Sequence, residues 1–189
     1  MNRRSTAAVV LLAGIWLSGA QWSWAQTSFL TPLKTQWEST RTLVEGIVGQ
    51  VPEDKYGFKP TPEVRSFLDQ FHHLISENYR FMSQAAGEAA PVGNAAIEQI
   101  KSRDEIVKAL KDSYDYGAKV WAGMDDKKAM EMIAGRGGQQ QMRWAVILYN
   151  VIDNMDHYGN LVVYVRLNGM VPGRTAAARQ RQQAPPPQR

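Results

Sequence analysis

The side chains in this sequence best suited to chemistry are Asp153 and His157 and the adjacent pair His72 and His73. Asp153 and His157 are four positions apart, so on a helix they share one face, where a carboxylate oxygen and an imidazole nitrogen can bind the same ion. The same spacing also serves an ordinary helical hydrogen bond or surface pair. His72 and His73 lie about 100° apart around a helix axis, so they do not easily both point at one centre. The apolar residues around them do not select one of the two. A histidine from that segment, together with Asp153 and His157, makes a three-ligand metal site with positions left for water or substrate.

Other chemistries are largely excluded. The chain has three histidines and no cysteine, which removes thiolate metal sites, thiol nucleophiles, disulfides and a lipidated-cysteine anchor. The run Gly135-Arg136-Gly137-Gly138 lacks the Lys-Ser/Thr of a phosphate-binding loop and reads as a flexible turn. No G-x-S-x-G nucleophile elbow occurs, and the eight methionines are scattered as core filler.

Four long segments have the helical periodicity needed to position these groups. The first, residues 28–50, carries Leu33, Trp37, Leu43, Val44, Ile47 and Val48, with Pro32 in its opening turn. Three prolines in residues 51–64 forbid a continuous helix there. The second helix is expected over about 62–86, where Phe67, Phe71, Leu74 and Phe81 form a stripe broken by Asn78. A small-residue loop over 87–94 follows. Ser102 and Glu105 then have capping-box spacing and open a third helix, which carries Ile106, Leu110, Tyr114 and Ala118 on one face and ends near Gly123. A charged stretch, 125–133, adds a helical turn or two before the glycine break. The fourth helix is expected over about 139–167, closed by Gly169 and Pro172. Trp37, Trp121 and Trp144 are expected to pack between helices. No run alternates as strands do, so the class is all-α and the architecture a four-helix bundle.

The charge distribution sets the limits of that domain. The 189-residue chain has a net charge of +4 and a pI near 9.4, which invites an anionic partner. Its first 25 residues, however, read as a signal peptide: Arg3 and Arg4, an apolar run from Ala7 to Ala20, then Ser23-Trp24-Ala25 before a mature start near Gln26. An uncleaved anchor is the alternative; the apolar run is short for a membrane span. Residues 174–189, rich in Arg, Gln, Ala and Pro, are expected to be a disordered tail. Two of the 22 basic residues fall in the leader and four in the tail, with no acidic residue in either. The domain between, residues 26–173, therefore holds 16 basic and 18 acidic residues, net −2. That balance lacks the field needed to bind a phosphate backbone, so no nucleic-acid partner is expected. The protein is expected to be periplasmic or secreted, with no membrane span after cleavage.

The stretch from Asp156-His157-Tyr158-Gly159-Asn160-Leu161 through Tyr164, Arg166 and Gly169 to Val171-Pro172 resembles a signature of DinB-like proteins. Ser66-Phe67, Phe71, His73-Leu74 and Asn78-Tyr79 resemble that family's second-helix segment, and Tyr56 to Pro62 its preceding loop. The likeness runs from about Trp37 to Pro172. It implies an up-down-down-up four-helix bundle, often dimeric, that holds a divalent metal with three histidines: one from the second helix and two from an H-x-x-x-H on the fourth. Carried over, the ligands are His73, His157 and, departing from the family, Asp153 in place of the first histidine of that motif. Carboxylate accepts Zn²⁺, Ni²⁺, Mn²⁺ or Fe²⁺ and moves preference toward harder ions. By the same resemblance Asn78 is a candidate to support His73 from one turn below. Two functions follow as expectations. One is a metal-dependent hydrolase or thiol-transferase-like enzyme for a small-molecule substrate, with Tyr158 or Arg166 positioning that substrate. The other is a non-catalytic exported bundle that binds a ligand or partner, its metal site degenerate.

Overall fold

Two serines start two of the four long helices in the same way. In the computed structural model, which describes residues 28–183, the Ser102 hydroxyl faces the Glu105 backbone N–H and the Glu105 carboxylate accepts from the Ser102 N–H. Ser66 and Asp69 form the same reciprocal pair, at 3.1 and 3.0 Å. Each box satisfies backbone donors that a helix otherwise leaves unpaired.

In chain order the elements are α1 (Leu30–Gln50), α2 (Phe67–Ala86), a short α3 (Asn94–Ile97), α4 (Arg103–Ala122), a short α5 (Asp126–Ala129), β1 (Met132–Ala134), β2 (Gln140–Met142), α6 (Arg143–Leu167) and α7 (Gly173–Gln183). The signal peptide read from residues 1–25 lies outside the described residues, as do 184–189. No described helix is long and apolar enough to cross a membrane.

α1 and α2 each pack on both α4 and α6, so they stand diagonally across a four-membered ring. Cross-helix contacts give the directions. Along α2 and α6 the partners run in opposite senses: Tyr164 hydroxyl to the Arg65 carbonyl, Asn150 to Asn78, and Arg143 to the Ala85 carbonyl. α1 runs parallel to α6, with Trp37 donating to Asn150 and Gln50 to the Val171 carbonyl. α4 runs parallel to α2, with Asn78 donating to Ser113 and Tyr116 to Ser83. The result is an all-α, up-down-down-up four-helix bundle. Phe67, Phe71, Leu74, Ile106, Leu110 and Ile147 fill its core.

The core also contains a connected set of polar groups. Asn78 Oδ1 accepts from Asn150 and Asn154, both at 2.9 Å, and its Nδ2 donates to Ser113 at 3.0 Å. Trp37 Nε1 donates to Asn150 at 3.0 Å. Asn78 thus breaks the apolar stripe of α2 because it joins the inner faces of the bundle, and its burial is compensated by partners.

Several expectations need correction. α2 begins at Phe67, not near 62, because Ser66 caps it. Aspartate at the fourth position of the box fills the role in which glutamate is the usual signal. Ala118 is exposed; Gly117, Val120 and Trp121 continue the buried face of α4. α6 begins at Arg143, since 140–142 pairs with 132–134 as a small antiparallel hairpin, Ile133 opposite Gln141. The glycine run is its tip, with Gly137 and Gly138 at φ 69° and 79°, a region that glycine enters without a Cβ clash. Strands of three residues are too short for alternation to register. Trp144 is half-buried at the start of α6, its Nε1 facing Met142 Sδ at 3.2 Å, whereas Trp37 and Trp121 lie in the core. The segment read as a disordered tail is helical over Gly173–Gln183, with no buried residue. Its Ala, Arg and Gln are good helix formers.

Candidate metal centre

The groove between α2 and α6 brings His73, Asp153 and His157 together, with one ligand-type atom from each lying within 4.8 Å of the others. The two imidazoles meet edge to face, centroids 4.5 Å apart. His157 Nε2 is 3.7 Å from Asp153 Oδ1. His72 is turned away: its Nε2 lies 2.8 Å from the Ile100 carbonyl, in the connection between α3 and α4. A backbone carbonyl only accepts, so His72 is a donor that ties this connection to α2.

The His157 ring has a close partner at its other nitrogen: Nδ1 is 2.7 Å from Gln70 Oε1, an amide oxygen, which only accepts. Burial, then the positive charge of Arg65, pushes the His157 pKa down against Asp156 and Glu77. His73 is pushed down by burial, His157 and Arg65, with Asp153 and Glu77 opposing. Asp153 moves up, through burial first and then the like charge of Glu77. Its Oδ2 is buried without a hydrogen-bond partner among the described residues. Two neutral imidazoles and a carboxylate with an orphaned oxygen thus converge at one point. Three groups rich in lone pairs, with one carboxylate oxygen lacking any donor, match what a cation satisfies. Two nitrogens and one oxygen suit Zn²⁺, Fe²⁺, Mn²⁺ or Ni²⁺.

A cleft of about 560 Å³ opens over His73 and Asp153 and is lined besides by Glu77, Arg80, Gln84 and Gly135, with His157 buried behind it. An adjoining hollow of about 750 Å³ shares Arg80, Gln84, Gly135 and Asp153 and extends to Gln139–Gln141, Tyr149 and Ile152. The hairpin therefore forms one wall, and Gln84 Nε2 ties it to α2 by donating to the Ala134 carbonyl at 2.8 Å. Arg80 stacks 3.9 Å over the Phe81 ring and pairs through Nε with Glu77 at 2.8 Å.

Tyr158 and Arg166, expected near substrate, line neither hollow. Tyr158 is buried and borders a groove against α1 and α7, and Arg166 lies 3.5 Å from Thr175. Asn78, expected to support His73, is bonded instead to Ser113, Asn150 and Asn154 in the core. Sequence reading missed Gln70, Glu77 and Arg80. Two of these had a signal, since Gln70 and Glu77 stand three before and four after His73 on the same helix face. The hairpin wall had none, because its residues approach the site through the chain's return from α4 to α6.

A family profile described as the DinB superfamily matches residues 33–161. Among curated proteins, none matches the sequence significantly. Among solved structures, the chain is similar to a DinB-like protein from Bacillus subtilis, at 18% identity and a TM-score of 0.62, covering 74% of this chain and 93% of that one. A DinB-like protein from Bacillus cereus is similar at 11% identity and a TM-score of 0.60, covering 76% and 95%. A conserved protein from Enterococcus faecalis is similar at 12% identity and a TM-score of 0.62, covering 75% and 97%. At these identities the likeness is one of fold.

Proposed function

This chain belongs to the DinB superfamily, and on that footing we propose that it binds one divalent metal ion through His73, Asp153 and His157 and acts on a small molecule seated in the adjoining cleft. The observation that carries the reading is the buried Oδ2 of Asp153, without a partner among the described residues, beside two imidazoles held neutral by burial. A bound divalent ion supplies Lewis-acid polarisation or a more acidic water, the chemistry of a hydrolase or a thiol-transferase-like enzyme. The protein's own groups do the rest. Gln70 stands against Nδ1 of His157, and Glu77 with Arg80 lines the mouth of the site. Export to the periplasm or beyond, and pairing of two copies, are further parts of the proposal. The first rests on residues 1–25 and the second on the family resemblance.

The test is the metal content of the purified mature protein after loading with Zn²⁺, Mn²⁺, Fe²⁺ or Ni²⁺ in turn. One ion per chain is expected with at least one of them, and loss of that ion in His73→Ala and in His157→Ala. Sub-stoichiometric metal under every loading condition would overturn the reading and leave a ligand-binding bundle with a degenerate site.

A further inference from the structure

Gln70 stands three residues before His73 on α2, 5% exposed, and its side-chain oxygen reaches across the groove to the ring of a residue on α6. We propose that Gln70 is a positioning residue of the site: its amide oxygen holds the proton of His157 on Nδ1 and so keeps Nε2 as the lone pair turned toward His73 and Asp153. The proposal rests on the metal-binding reading above and deepens it by assigning what fixes the tautomer and ring angle of one ligand.

Three observations support it. A neutral imidazole has a single N–H, and in free histidine the Nε2–H form is the more populated, so the opposite tautomer has to be imposed by a partner. On the Nε2 side the neighbouring carboxylate oxygen of Asp153 is 3.7 Å away, too far for a hydrogen bond. On the Nδ1 side the Gln70 oxygen is at 2.7 Å. The short contact decides where the hydrogen resides.

Gln70 is itself held in place. Its N–H donates to the Ser66 carbonyl at 2.9 Å, inside the first turn locked by the Ser66–Asp69 box. The preceding carbonyl, that of Arg65, accepts at 2.9 Å from the hydroxyl of Tyr164, which lies on the helix that carries His157. The acceptor and the ring it orients are therefore tied together twice, once directly and once through the start of α2. The residue type has a reason as well. Asp153 already places one carboxylate in this half-buried site, and Glu77 raises its pKa further. A glutamine orients the imidazole with an oxygen acceptor and adds no third negative charge.

The experiment has two arms. Long-range ¹H–¹⁵N correlation spectra of the metal-free wild-type protein at pH 7.5 should show His157 protonated at Nδ1, and Gln70→Leu should mix or reverse the tautomers. In calorimetric titrations with Zn²⁺ and with Mn²⁺, Gln70→Leu should weaken binding by about 10- to 100-fold. Gln70→Glu, which keeps the acceptor oxygen, should restore affinity to within a few-fold of wild type. A purely structural role would lower the thermal midpoint without moving the tautomer, and that result overturns the proposal. So does an Nε2–H tautomer in the wild type, or a Gln70→Leu variant that binds metal as tightly as wild type. If the wild type binds no metal, the metal-binding reading fails, while the wild-type tautomer, which needs no variant to fold, still decides the role of Gln70.

Discussion

Tyr114 donates its hydroxyl to Asn154 Oδ1 at 2.7 Å, joining α4 to the residue beside the candidate ligand Asp153. Asn150 and Asn154 are four apart on α6, and so are Asp153 and His157, and the three-residue offset between the pairs turns one face about 60° from the other. The first pair points into the core, onto Asn78. The second faces the groove against α2. The polar core therefore fixes the rotation of α6, and that rotation aims the ligands.

Removing the Tyr114 hydroxyl tests this. Burial pushes its ionisation far above the ordinary phenol range, so it acts as a neutral donor. Tyr114→Phe keeps the ring and leaves Asn154 Oδ1 without that donor, and should cost about 1–3 kcal/mol in urea unfolding. Asn154→Ala, which leaves the Tyr114 hydroxyl unpartnered and takes a donor from Asn78, should cost at least as much and also weaken metal binding. Equal metal affinity in wild type and Asn154→Ala would detach the core network from the site.

Gly117→Ala probes the packing on the other side of Trp37. A Cβ at 117 would stand 2.6 Å from Trp37 Cζ2 and 3.4 Å from Met82 Cγ. The indole has little room to retreat, being edge-packed on Tyr114 and Trp121 and hydrogen-bonded to Asn150. The variant should lose about 1–3 kcal/mol and change the tryptophan fluorescence. An unchanged midpoint in thermal or denaturant melts would contradict this packing.

Particular residues show why some of this was legible in the sequence and some was not. Ser102 and Glu105 announced α4 because the capping interaction is local, and the periodic apolar faces gave the bundle. His73, Asp153 and His157 could be singled out because helical spacing and a family resemblance both bear on them. The choice between His72 and His73 was beyond periodicity, since it depends on a carbonyl at Ile100 contributed by a different segment. Asn78 was visible as an anomaly in a stripe, but its partners Ser113, Asn150 and Asn154 come from other helices. The hairpin was invisible because its three-residue strands are held by the glycine tip and by Gln84, contacts that do not repeat along the chain.

Acidification should destabilise the metal-free protein. Burial holds the folded pKa values of His73 and His157 below their ordinary value of 6.5. Between 6.5 and those lower values the unfolded chain binds more protons than the folded one, so stability falls as pH falls through that window. Asp153 has the opposite sign: its folded pKa is raised above 3.8, so it protonates first in the folded state and returns some stability at lower pH. Metal binding requires the unprotonated ligands, so added ion should stabilise the protein by about 2.7 kcal/mol at a concentration 100 times Kd and neutral pH, and progressively less toward pH 5. Denaturant unfolding at half-unit steps, with and without metal, reads both effects. A profile that is flat between pH 7 and pH 5 in the metal-free protein would contradict the shifts.

Asp153→His isolates what the carboxylate contributes. With His157 four residues on, the variant places two imidazoles on the same α6 face, beside His73, and removes the one negative charge among the three ligands. Borderline ions such as Zn²⁺ and Ni²⁺ are suited by imidazole, whereas Mn²⁺ favours oxygen. The variant should therefore lose Mn²⁺ affinity relative to Zn²⁺ by on the order of tenfold, a difference of about 1.4 kcal/mol. Asp153→Asn, which keeps the shape and removes the charge, should weaken both ions. Competition titrations with the two metals separate these outcomes. An unchanged Zn²⁺/Mn²⁺ ratio in Asp153→His would mean that Asp153 does not touch the ion, and that its buried oxygen serves the neighbouring imidazoles alone.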